Sequence, residues 1–200
     1  MTARALLAAS LLALGACKHV PMPGEEPKPG PDEGAWAQAR DQQTRAVRLY
    51  DGLALRAFAT VVWESPEVRA ARVDRIAVWR AMTDEEHAAS RRAEDETAAT
   101  FDEVTVSLFT PDRNDNDLDA NQSTWRLALV TASGETVAAK VSQLRIDSLL
   151  RTLYPRIGDF DVVYRVRFPK QAGLGQTPFV FRMAGPRGKM DFGFGPPVAK

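Results

Sequence analysis

Carboxylate and amide side chains are concentrated in one short segment, residues 112–121. Aspartate and asparagine alternate along this segment, and calcium prefers several such oxygen ligands at close range. The sequence therefore suggests a calcium site in this segment as the one cofactor to consider. Its ligands would be Asp112, Asn114, Asp115, Asn116, Asp117 and Asp119.

The spacing within this segment resembles that of an EF-hand loop only in part. The glycine that permits the sharp turn of such a loop is missing, and no glutamate occupies the closing position. The alternative is a solvated loop, since aspartate and asparagine also favour turns. We favour the solvated loop because the match to a metal site is compositional rather than geometric. No other cofactor is expected.

Residues for nucleophilic catalysis or zinc binding are scarce. The chain has one cysteine, Cys17, and two histidines, His19 and His87. A serine triad needs a histidine base near a serine, and Ser90 is the helical neighbour of His87 by spacing. This pair lies among acidic residues on a helix that we expect to be exposed, so it is a weak signal. A non-catalytic protein is favoured.

Basic residues outnumber acidic ones between residues 140 and 189. A basic surface that includes Arg165, Arg167 and Arg182 could bind anionic lipid head groups or an acidic partner. The favoured alternative is pairing within the molecule, against an acidic helix around Glu94, because isolated surface charges contribute little. The formal net charge of the whole chain is zero, so we do not expect nucleic-acid binding.

The N-terminal segment has the pattern of a secretion signal. Arg4 supplies a positive charge, residues 5–14 form an apolar run interrupted only by Ser10, and two small residues precede Cys17. This run is shorter than the roughly twenty apolar residues that a membrane-spanning helix needs. A short apolar core followed by small residues predicts a cleaved signal peptide, residues 1–16.

The small residues that end at Cys17 resemble the lipobox of bacterial lipoproteins. The resemblance implies that the sulfur of Cys17 receives a diacylglyceryl group, that cleavage falls before it, and that the new amine is acylated. Several acyl chains anchor a protein stably, whereas one binds only marginally. Lys18 is not the aspartate that favours inner-membrane retention in well-studied Gram-negative lipoproteins, so the resemblance implies the outer membrane.

A tether and then a folded domain are expected after the anchor. Residues 17–34 comprise the cysteine and a segment rich in proline and glycine, which stays extended and cannot form a core. Apolar residues at three- and four-residue intervals predict a long helix over residues 35–63. Ser65 with Pro66 predicts the start of a second helix, and Thr83 with Glu86 predicts a third or a kink. Residues 35–100 are therefore predicted to be helical.

From residue 101 the apolar residues alternate instead, which predicts strands. We predict six of them, at residues 104–108, 125–129, 137–141, 162–168, 179–183 and 190–194. A short helical turn is predicted over residues 147–154, ended by Pro155. The expected fold class is α+β, with N-terminal helices followed by an antiparallel β-sandwich or meander, residues 101–197, packed with the helices.

These patterns favour a lipid-anchored envelope protein that binds or supports another envelope component, most simply a protein. Its partners would be the membrane, through Cys17, and that envelope component. Two alternatives stay open. One is a tethered hydrolase that uses paired carboxylates, whose required separation is spatial. The other is a calcium-dependent carbohydrate-binding module built on residues 112–121.

Overall fold

The computed structural model describes residues 34–196. The helices in this range are α1 (Gly34–Gln42), α2 (Pro66–Trp79), α3 (Asp84–Thr100) and α4 (Ser148–Leu153). The strands are β1 (Thr44–Asp51), β2 (Ala54–Trp63), β3 (Phe101–Phe109), β4 (Arg126–Thr131), β5 (Gly134–Val137), β6 (Lys140–Leu144), β7 (Val162–Pro169), β8 (Phe179–Gly185) and β9 (Gly188–Phe194). The α+β class with antiparallel sheets is confirmed.

The strands form two sheets that pack face to face. One sheet has the order β1-β2-β3-β7-β6, and the other has the order β5-β4-β8-β9. Alternate residues of each strand point into the space between them, as the period of two predicts. The core includes Val106 and Val166 from the first sheet and Leu129, Phe181 and Phe192 from the second. Burial of this core is the main source of stability, since the described chain contains no cysteine.

The helices cover the other face of the five-stranded sheet. Trp36 of α1, Val68 of α2 and Tyr154 after α4 form a second apolar cluster with Val62 and Val163. The rings of Trp36 and Tyr154 meet edge to face, with centroids 5.9 Å apart. The domain therefore has three layers: helices, a five-stranded sheet and a four-stranded sheet. Among residues 34–196, no helix is long and apolar enough to cross a membrane.

The long helix predicted for residues 35–63 is wrong beyond Gln42. The chain instead forms a hairpin, in which β1 and β2 pair antiparallel. Apolar residues there fit a period of two as well as a period near 3.6, and the β-branched residues among them favour strands. Gly52 has φ of +58° at the turn of the hairpin, a conformation that glycine adopts readily.

The predicted strand at residues 137–141 is in fact two strands in different sheets. β5 ends at Val137 after pairing with β4, and β6 begins at Lys140 and pairs with β7. The chain thus passes from one sheet to the other within two residues. Together with the β1–β2 hairpin, this division accounts for nine strands where six were predicted.

The predicted starts of the helices beyond residue 64 are confirmed. The Ser65 hydroxyl accepts a hydrogen bond from the Val68 backbone N–H, and Pro66 is the first residue of α2. Thr83 and Glu86 form a reciprocal capping box at the start of α3. The short helix predicted near residues 147–154 is α4.

Three connections meet at one end of the five-stranded sheet. The register places Phe58 opposite Phe109 and Leu108 opposite Val162, so β3 ends where β2 and β7 begin. The β1–β2 turn, the loop over residues 110–125 and the segment over residues 154–161 therefore lie at the same end. Residues far apart in the chain are brought together there.

Candidate binding site: a groove beside Phe160

A groove opens at this end of the sheet, and we call it the Phe160 groove. It is lined by residues 109–111, Arg113, Asn116 and residues 159–162. Its volume is about 410 Å³, which lies within the range of roughly 300–1,000 Å³ that small-molecule sites occupy. The lining combines two aromatic rings, aliphatic side chains, two carboxylates and one guanidinium group.

Phe160 is the most unusual residue of this groove. Its side chain is 76% exposed, although large aromatic side chains are normally buried. Asp159 and Asp161 flank it, and Asp161 holds the turn: its Oδ2 accepts hydrogen bonds from the Ser107 hydroxyl at 2.5 Å and from the Gly158 N–H at 2.9 Å. The ring is therefore presented to solvent by a segment that is itself anchored to β3.

Thr110 lies in the groove wall directly after β3. The residue is 4% exposed, and its hydroxyl has no hydrogen-bond partner among the described residues. Leaving a buried hydroxyl unpaired costs about 1–3 kcal/mol. The hydroxyl oxygen is itself inaccessible to solvent, so a ligand in the groove does not reach it in this conformation.

Asn116 fixes the loop that forms the opposite wall. The Tyr164 hydroxyl lies 2.9 Å from Asn116 Oδ1 and 2.8 Å from the Asn116 carbonyl, and both oxygens accept from it. Asn116 Nδ2 donates to the Leu108 carbonyl at 2.9 Å. This side chain connects the loop to β3 and β7, so its role is to shape the groove.

The other candidate calcium ligands are largely engaged within the molecule. Asp112 caps the backbone N–H of Asn114, and Asp115 is buried and pairs with Arg187 at 2.8 Å. Asp117 accepts from Ser123 and Thr124. Asp119, the last of these candidates, lies near Tyr164. Its negative charge helps to raise the pKa of the Tyr164 hydroxyl.

These side chains point at different partners rather than at one centre. Among residues 34–196, no group of three or more His, Cys, Asp or Glu residues is arranged to hold a metal ion. The calcium site stays a prediction, which a calcium titration of the melting temperature would test.

The three arginines of the predicted basic surface do not share a face. Arg165 and Arg167 lie on the side of β7 that faces the helices, and Arg167 Nε pairs with Glu103 Oε1 at 2.5 Å. Arg182 alternates with core residues of β8, so it lies on the outer side of the other sheet, where two of its nitrogens contact Asp191 at 2.7 and 3.0 Å. Arg167 and Arg182 are thus paired within the molecule.

His87 contacts a carboxylate rather than the predicted serine. Its Nε2 lies 2.8 Å from Asp74 Oδ1 of α2, and both side chains are substantially exposed. This surface pair links α3 to α2. It does not form a nucleophile and base arrangement with Ser90.

A network of buried charges lies between the helices and the five-stranded sheet. At its centre is Glu64, which is 2% exposed and follows β2. Glu64 pairs with Arg72, and its Oε1 accepts hydrogen bonds from the hydroxyls of Thr105 and Tyr154, each at 2.6 Å. Arg72 also contacts Glu94 of α3 at 2.8 Å.

Arg69 extends this network along α2. It contacts Glu94 at 2.6 Å and Glu103 at 2.8 Å, and Glu103 also pairs with Arg167. Positive and negative groups thus alternate from α3 through α2 to the sheet. The network fixes α2 and α3 on the sheet.

Opposing effects set the pKa of Glu64. Burial, the largest influence, raises it, but Arg72, Arg165 and the two hydroxyl donors together outweigh burial and hold the pKa below its usual range. The cavity near Tyr154 and Thr105 has a volume of about 20 Å³, room for about one water molecule. The lowered pKa keeps Glu64 ionised at neutral pH, as its pairing with Arg72 requires.

The network also positions the Phe160 groove. Tyr154 begins the segment that leads to Phe160, and its hydroxyl is held by Glu64 and by Arg72 at 3.1 Å. Ile157 is buried in the middle of the segment, and Asp161 is bound at its end. Phe160 is therefore carried by a segment that is attached at three points.

Alkaline pH tests this network. Burial, followed by the neighbouring Glu64 carboxylate, raises the pKa of the Tyr154 hydroxyl from 10.0 to about 12. An acid with a raised folded pKa contributes stability below its unfolded pKa and loses it as the pH rises through the folded value. The free energy of unfolding should fall between pH 10 and 12, by up to roughly 3 kcal/mol from this group. Denaturant unfolding across that range measures the decrease.

Tyr154→Phe is the matched variant for this measurement. It lacks the titrating hydroxyl, so its stability should decline less steeply above pH 10. Tyr164, whose pKa is also raised to about 12, keeps its own contribution in both proteins. If the free energy of unfolding falls equally steeply with pH in both proteins, ionisation of Tyr154 does not contribute to the pH dependence of stability.

The sequence did not single out Phe160 or Thr110. Phe160 lies between two aspartates in a polar turn, and Thr110 follows a strand. An aromatic residue in a turn is compatible with burial or exposure, so no sequence signal separates the two. Residues 1–33, to which the signal-peptide, anchor and tether predictions apply, lie outside the described residues.

Comparison of this chain with protein-family models, with curated proteins and with solved structures found no match. The groove and the N-terminal sequence are the features of this chain that point to a function.

Proposed function

We propose that this chain is a lipid-anchored protein of the bacterial envelope whose folded domain is a non-catalytic binding module. Cys17 would carry the lipid and hold the protein at the outer membrane. The proline-rich residues 19–32 would separate the domain from the bilayer. The Phe160 groove would contact another envelope component.

The observation that supports this proposal is the exposed Phe160 ring at the edge of a groove of about 410 Å³. Concave sites with apolar walls and a few polar groups are the usual location of ligand binding. The carboxylates of Asp159 and Asp161 and the guanidinium group of Arg113 supply the polar groups of this groove.

The composition of the groove favours binding over nucleophilic catalysis. Its described lining residues include no histidine, cysteine or lysine. An activated nucleophile needs an adjacent base within hydrogen-bond reach. The two carboxylates are instead held in the Asp161–Ser107 hydrogen bond and in the Asp159–Arg151 ion pair at 3.3 Å.

Site-specific photo-crosslinking in living cells tests the binding proposal. A photoreactive amino acid in place of Phe160 should give a covalent adduct with an envelope component. The same amino acid in place of Tyr50, which is also exposed but lies outside the groove, is the control. The proposal fails if position 160 gives no adduct, or only the adducts that position 50 gives.

Mass spectrometry of the protein from membranes tests the anchor separately. We expect a mature chain that begins at an acylated Cys17. A Cys17→Ser variant should stay unprocessed or leave the membrane fraction on washing. An intact Met1 or a free thiol at position 17 in the native protein would contradict lipidation.

A further inference from the structure

We infer that the Phe160 groove binds a pyranose unit of an envelope glycan, with the sugar ring stacked on Phe160. This inference depends on the proposed function, because it names the ligand class of the same groove. It involves residues 109–116 and 159–162 and no metal ion.

The Phe160 ring supplies the apolar part of such a site. A pyranose has one face of C–H groups, and an aromatic ring is a flat apolar surface of matching size with a negative potential over its face. Phe160 is 76% exposed, so most of its ring surface is accessible to a ligand. Phe160 is the one largely exposed aromatic residue of this groove, and such a residue suits one sugar ring better than an extended apolar partner.

The polar groups of the groove match the hydroxyl groups of a sugar. Hydroxyls both donate and accept, so they need acceptors and donors close together. Asp161 Oδ1 takes part in no hydrogen bond with a described residue, and Asp159 is largely exposed. Arg113, which lines the groove and forms no ion pair within residues 34–196, supplies donors.

The geometry disfavours a peptide that adds as a strand. The strands that border the groove, β3 and β7, are interior to the five-stranded sheet, and each is paired on both sides. Strand addition needs an unpaired edge. An anionic lipid head group is also disfavoured, since two carboxylates and one guanidinium line the groove.

Binding of soluble oligosaccharides tests the inference directly. The protein is the full chain with Cys17→Ser, isotope-labelled for NMR, and the probes are chitotetraose and maltotetraose. Both probes present pyranose rings. Comparing them shows whether the groove prefers amino sugars or unsubstituted hexoses. We expect at least one probe, at tens of millimolar, to shift resonances of residues 109–116 and 159–162.

Two variants show whether the groove is responsible. Phe160→Ala should weaken binding roughly tenfold or more, because truncation of a central aromatic contact commonly has an effect of this size. Tyr50→Ala, the control at another exposed aromatic, should bind as the native protein does.

No shifts with either probe, or shifts that Phe160→Ala leaves unchanged, would overturn the inference. A protein adduct from position 160 in cells without sugar binding would leave the proposed function standing and remove the glycan. Failure of both experiments would remove the groove as a binding site.

Discussion

Replacing Glu64 with glutamine should lower the free energy of unfolding by about 3 kcal/mol or more at neutral pH. The variant removes the negative charge that Arg72 faces in an environment without solvent. Arg72 keeps Glu94, but Glu94 is partly exposed and is shared with Arg69. Removing one partner of a buried pair leaves the other charge incompletely compensated, which is the main cost. Urea unfolding of the two proteins measures the difference.

The pH dependence of this difference follows from the lowered pKa of Glu64. A carboxyl with a depressed folded pKa contributes stability above its unfolded pKa and loses it as the pH falls through the folded value. The difference in free energy of unfolding between the native protein and Glu64→Gln should be constant near neutral pH. It should narrow below about pH 4.5, the usual pKa of the group.

Glu135→Gln is the matched control for Glu64→Gln. Glu135 pairs with Arg126 at 2.7 Å on the outer surface of the four-stranded sheet. Exposed ion pairs contribute little because water screens them. We expect only a slight change in stability. Similar losses of stability in Glu64→Gln and Glu135→Gln would mean that burial does not increase the contribution of the Glu64 network to stability.

Replacing Gly175 with alanine should destabilise the protein by about 3–5 kcal/mol. Gly175 has φ of +88°, and an added Cβ would lie 3.0 Å or less from three ring atoms of Trp63. Trp63 cannot move aside easily, because it is buried in the core and its ring meets Phe179 edge to face at 4.9 Å. The variant therefore combines backbone strain with overpacking. Thermal and denaturant unfolding measure the loss.

Two other glycines separate these contributions. Gly52 has φ of +58° with nothing near its added Cβ, so Gly52→Ala should lose about 1 kcal/mol from backbone strain alone. Gly193 has neither a positive φ nor a close neighbour, so Gly193→Ala should be neutral or slightly stabilising. If Gly175→Ala loses no more stability than Gly52→Ala, the Trp63 side chain moves to accommodate the added Cβ.

Much of the fold could be predicted where the signal is local. Alternation in β3, β4, β7, β8 and β9 predicts which side chains enter the core, and capping residues predict where α2 and α3 begin. These signals depend only on neighbours within a few residues. The segment over residues 44–63 was interpreted wrongly because its apolar residues fit both periods, and only pairing with β3 selects the strand.

The charged residues show where local signals end. The alternation in β7 correctly placed Arg165 and Arg167 opposite its core residues. It could not show that Arg167 would pair with Glu103, which is 64 positions away in the chain. Arg182 looked equivalent to them in sequence, yet it lies in the other sheet and pairs with Asp191.

The sequence by itself determined the alternating faces of the later strands, the helix caps and the prediction of a lipid anchor at Cys17, because each depends on residues that are close in the chain. Only the tertiary structure decided that Glu64 is buried among arginines and that Phe160 is exposed beside Thr110. The physical reason is that a sequence period shows which face of a segment is buried but not which distant segment covers it. Sheet pairing brings the end of β3 beside the start of β7, and the groove forms at this place.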